Sequence, residues 1–215
     1  RHWPDRPDVT AGLDLLAGGT WLGLNDQGVA AGVLNRPQAL GPSPDFRSRG
    51  ELPLEALDHA GAADAAEALS HIEPGSYRPF NMVVADEVRA FWLRNRGDGT
   101  AVEAMEIEAG LSMITAHDLN DPASPRIARY LPRFRAAPPP DPGAGDWSAW
   151  ASLMAARDHD AHAGPGGAMM VAGDGGFGTV SSSLLALGPG GGGKRVWLFA
   201  PGPPGEAEYE PVSLG

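Results

Sequence analysis

The sequence predicts an α+β fold, and three observations carry that prediction. Short apolar and β-branched runs bounded by turn residues crowd both ends of the chain. Stretches rich in Ala, Leu and Glu at helical spacing lie between them. Neighbouring runs are joined by tight Asn/Asp/Gly turns, the connection that antiparallel strands use. Strands and helices grouped in this way form segregated layers.

The most informative stretch is residues 17–36. Apolar runs at 21–24 and 29–34 flank the turn Asn25-Asp26-Gln27-Gly28, which predicts a β-hairpin. The second strand ends in the polar pair Asn35-Arg36, and a loop returns through Phe46-Arg47-Ser48-Arg49-Gly50. Residues 52–72 predict one helix, stopped by Pro74-Gly75. Strands follow at 80–85 and 89–93 around Asp86-Glu87, and a second pair at 101–107 and 111–116 hinges at Ala109-Gly110. Ser124 as cap and Pro125 in the first turn start a helix over 124–134, with Ile127, Tyr130, Leu131 and Phe134 on one face. A helix over 147–157 carries Trp147, Trp150, Leu153 and Met154 on one stripe, with Asp146 as its cap. Strands at 168–172, 179–187, 195–200 and 208–212 complete the reading.

The 215 residues suffice for a single domain spanning 1–215. No apolar run approaches the roughly 20 residues of a membrane helix, so no integral membrane segment is expected. With no cysteine there are no disulfides or thiolate metal sites. The net charge of −11 opposes attraction to nucleic acid or anionic membranes. A cytoplasmic, acidic protein that takes a small-molecule ligand is the expectation.

Several landmarks fall in one order along the chain. They are Gly18-Gly19-Thr20-Trp21-Leu22-Gly23, Leu34-Asn35-Arg36, Ser48-Arg49-Gly50, Phe80-Asn81, Gly110…Ser112 leading to Leu119-Asn120-Asp121-Pro122, and Gly178-Thr179…Ser182-Ser183. With them the chain resembles the NRDE family, also called the Transport and Golgi organisation protein 2 family, over nearly its whole length. The resemblance implies an αββα sandwich like that of the N-terminal-nucleophile hydrolases. It also implies a departure. The family opens with Met-Cys and a strand ending in Asn-Arg-Asp-Glu, whereas this chain begins at Arg1 with neither. A missing N-terminal segment or strand partner is therefore expected, leaving the edge at 21–24 open or covered by another segment.

Other motifs are weaker. Gly173-Asp174-Gly175-Gly176-Phe177-Gly178 matches G-x-G-x-x-G, but the β-branched, Ser-rich run after it predicts strand, so a hairpin turn is the better reading. His159 and His162 have helical ligand spacing but no third partner, and no metal site is assigned. Gly19-Thr20 and Gly178-Thr179 are formal autoprocessing junctions without further support.

Asn35, Asn81 and His117 sit at predicted strand ends and are the candidate catalytic groups, as amide donors and an acid–base. Arg36 and Arg49 are candidates to grip an anion, and Ser48 shares their turn. Asn35, Arg36, Ser48, Arg49, Asn81 and His117 are expected to converge on one ligand pocket. Trp3, Trp21 and Trp92 are candidates for its apolar wall. The resemblance implies a carrier of haem, with His117 as iron ligand, or of a lipid or acyl-CoA-like molecule. The alternative it implies is a Cys-dependent amide or thioester hydrolase whose nucleophile lies in a segment absent from this chain.

Overall fold

The computed structural model describes residues 1–37, 44–172, 177–188 and 194–214. Its first sheet is a six-stranded antiparallel meander in chain order. The strands are β1 (Val9–Ala11), β2 (Leu22–Asn25), β3 (Ala30–Asn35), β4 (Phe80–Ala85), β5 (Ala90–Asn95) and β6 (Glu103–Glu106). The hairpin at 25–28 forms as predicted, with Leu22 opposite Gly32 and Leu24 opposite Ala30. Gly28 takes φ 97° at the turn, where a side chain would strain the backbone.

Strand alternation sets the two faces of this sheet. Val29, Ala31, Val33, Phe80, Met82, Val84, Phe91 and Leu93 point one way and are buried. Helices α1 (Glu51–Leu57) and α2 (Ala62–Ser70) cover that face with Leu52, Leu57, Ala62, Ala65 and Leu69. Truncating a fully buried Leu or Met here costs about 2–5 kcal/mol. Leu22, Leu24 and Ala30 point the other way and meet Trp197 and Leu185 of a second, three-stranded antiparallel sheet, with Leu187 just beyond it. That sheet is β7 (Ser182–Ala186), β8 (Val196–Ala200) and β9 (Glu210–Pro211). Arg195 ties the sheets together, donating to the carbonyls of Asn25 (3.0 Å) and Asp26 (2.8 Å). Helices α3 (Pro125–Ala136) and α4 (Ser148–Met154) pack on each other, with Phe134 edge-on to Trp150 at 5.3 Å. Ser124 caps α3 through the Ile127 N–H, as the sequence predicted.

Three expectations need correction, and for the edge at 21–24 the second of the two expected alternatives holds. Residues 52–72 form two helices, because Nδ2 of buried Asn25 takes the carbonyls of Leu57 and His59, both at 2.8 Å. Asp86 Oδ2 then caps the second helix from outside through the Ala62 N–H. Residues 111–116 form no ladder, since Asn120 pairs with Met113 through both its main chain and its side chain. Among the described residues, 168–172 form no ladder either, and the main chain of Val171 bonds there only to Thr179. The edge at 21–24 is covered by a strand of the same chain, β1, with Val9 opposite Asn25 and Ala11 opposite Gly23. Residues 173–176 of the glycine-rich run and 189–193 of the later loop lie outside the described residues. No described helix is long and apolar enough to cross a membrane.

Candidate functional site

The Gly-Gly-Thr and Ser-Arg-Gly elements are two halves of one backbone contact. Thr20 N–H donates to Gly50 O at 2.9 Å. A Cβ on Gly19 would stand 2.4 Å from the carbonyl carbon of Gly50, so only glycine allows this approach. Gly18, at φ 74°, lets the preceding loop turn back, and Asp14 Oδ1 holds that loop through the N–H groups of Leu16 and Ala17.

Beside this contact opens a cleft of about 320 Å³. Its rim is apolar, with Leu16, Trp21 and Phe46 all substantially exposed. Asp14, Asn35, Arg47, Ser48, Arg49 and Arg78 also line it. Arg49 is buried, and Nη1 donates to Pro79 O at 2.9 Å. Burial, and then the charge of Arg78 beside it, lower the Arg49 pKa from its ordinary value. Arg47 is held by Glu51 and Glu55 and stacks over Tyr77 at 5.0 Å. The phenol beneath it is pushed up to about 12, chiefly by burial. Asn35 Oδ1 is buried and has no hydrogen-bond partner among the described residues, an arrangement that costs about 1–3 kcal/mol. The cleft thus combines cationic groups, a buried amide oxygen and an apolar mouth.

The six sequence-predicted residues do not share one pocket. Asn35 and Arg36 are neighbours on a strand end and point to opposite faces. Asn35, Ser48 and Arg49 meet in the cleft, whereas Arg36, Asn81 and His117 group on the other face. Asn81 is completely buried and has every hydrogen-bonding position occupied. Its Oδ1 accepts from Arg36 Nη1 (2.7 Å) and Trp92 Nε1 (3.2 Å). Its Nδ2 donates to the carbonyls of Thr115 (2.8 Å) and His117 (2.7 Å). No N–H of Asn81 is therefore left for a ligand or an oxyanion. Arg36 continues to Asp118 (2.7 Å), which also binds Arg94, and Arg94 in turn binds Glu103 and lies 4.9 Å from the Trp92 ring centre. Burial raises the Asp118 pKa, but Arg36 and Arg94 outweigh it and hold the carboxyl below its ordinary range. His117 lies with its Nδ1 3.8 Å from Asp121 and does not line the cleft.

Of the three tryptophans, only Trp21 lines the cleft. Trp3 packs on the core and donates to Gly18 O, and Trp92 is buried under Arg94. The imidazoles of His159 and His162 both turn to Asp160. Among the described residues no group of three or more His, Asp or Glu side chains is placed to hold a metal ion. The sequence reading missed Arg78, Asp118 and Arg94, because nothing local distinguishes them from surface ion-pair residues.

The model of the Transport and Golgi organisation 2 family matches residues 1–137, which include the cleft, the Asn81 network and the whole first sheet. The Transport and Golgi organization 2 homolog of the mouse, Mus musculus, is 34% identical over 92 residues. That alignment covers 39% of this chain and 31% of the mouse protein, so the chain spans about a third of its relative. The motifs that build the Gly19–Gly50 contact and the strand that ends at Asn35 all fall within the family match, and the chain belongs to the Transport and Golgi organisation 2 family.

Proposed function

We propose that this chain is a small-ligand-binding protein and that its site is the cleft between the Gly19–Gly50 contact and the end of β3. The observation that carries the reading is the combination found there. Two guanidinium-bearing residues, Arg49 and Arg78, line the cleft together with Asn35, whose Oδ1 has no partner among the described residues, and Leu16, Trp21 and Phe46 form its mouth. A ligand suited to this cleft has an acidic head with at least one hydrogen-bond donor and an apolar body. An acyl-CoA-like or other lipid-derived molecule meets that description better than a haem ligated by His117, because His117 sits on the other face of the sheet. The first sheet, covered on one face by α1 and α2 and meeting the second sheet on the other, supports an αββα sandwich of the N-terminal-nucleophile type, formed by residues 1–215 as one domain. We place the protein in the cytoplasm.

Titration of palmitoyl-CoA, followed by the fluorescence of Trp21 against a Trp21→Phe control, tests the reading. Saturable binding is expected, weakened at least tenfold by Arg78→Glu and by Asn35→Asp, both of which add negative charge to the cleft. Haemin titrated into His117→Ala should behave as with the unsubstituted protein. Palmitoyl-CoA binding that is absent, or indifferent to both cleft substitutions, overturns the assignment.

A further inference from the structure

We draw no further inference here: the strongest candidate, the exposed apolar loop tip at Leu15 and Leu16 beside Trp21 and Phe46 at the mouth of the cleft, carries nothing beyond the function proposed for that cleft, because nothing in the structure shows what covers it.

Discussion

At the scale of single residues, the two buried asparagines Asn25 and Asn81 do the same work. Each uses its amide to hold a segment that has no ladder of its own: Asn25 the break between α1 and α2, Asn81 the carbonyls of Thr115 and His117. Replacing Asn81 by Ala strands four partners, two of them carbonyls. We expect a loss of about 2–4 kcal/mol in urea unfolding, since each buried group left unpaired costs about 1–3 kcal/mol and some will find water. Asn81→Asp keeps the acceptor for Arg36 and Trp92 but cannot donate, so it should also destabilise at neutral pH. Asp118 gives a pH-dependent counterpart. Its folded pKa lies below the ordinary carboxylate value, so its stabilising effect is present above about pH 4 and fades as pH falls through the folded pKa. Asp118→Asn should therefore lower the melting temperature at pH 7 and flatten its decline below pH 4. Equal slopes for both proteins would show that the Arg36–Asp118–Arg94 network is too solvent-exposed to matter. The sequence located Asn81 as an unusual polar position but not its role. A buried amide with all four hydrogen bonds made and an amide awaiting a ligand look identical in one dimension.

At the scale of elements, legibility followed the range of the interactions. The hairpin at 25–28 and the start of α3 were readable, because turn chemistry and capping act within four residues. The split of 52–72 was not, because the group that breaks the helix is Asn25, more than thirty residues away. β1 was too short to leave a pattern. Residues 111–116 show the opposite failure: the strand pattern is present, yet no described strand pairs with it. The glycine motifs were recognised without their cause, which is the close approach of Gly19 to Gly50. That cause yields a sharp contrast between two substitutions. At Gly19 a Cβ would overlap the Gly50 backbone at 2.4 Å, whereas at Gly12 nothing lies within 4 Å. Gly19→Ala should cost at least about 1–3 kcal/mol and deform the cleft, with Gly12→Ala within about 0.5 kcal/mol of neutral. Denaturant midpoints report the stability, and palmitoyl-CoA titration reports the cleft. A well-folded Gly19→Ala protein of unchanged midpoint would mean that the Gly19–Gly50 contact is looser than its geometry implies.

At the scale of the whole molecule, the question is whether the chain unfolds as one unit. The first sheet with α1 and α2 has its own core, and it lies wholly within the family match at 1–137. The second sheet begins at Ser182, and its contact with the first is narrow. Leu24, Ala30 and Trp197 are the buried members of that contact, fringed by Leu22, Leu185 and Leu187. Arg195 adds two hydrogen bonds to carbonyls at the β2–β3 turn. A small core of this kind holds two layers together only if its largest member stays in place. Trp197 is that member: it is 6% exposed, and its Nε1 donates to Ser183 within its own sheet. A Trp→Ala truncation in a core costs about 3–5 kcal/mol. In the unsubstituted protein, far-ultraviolet circular dichroism and tryptophan fluorescence should therefore follow one denaturant transition. In Trp197→Ala the second sheet should lose its anchor and melt first. The two probes would then separate, with the first transition removing protection from the amides of 182–186 and 196–200 while those of β3, β4 and β5 persist. Coincident transitions at a lower midpoint would instead mean that α3, α4 and the Arg195 hydrogen bonds couple the layers without Trp197. Loss of β3–β5 protection in the first step would place the weak point in the first sheet.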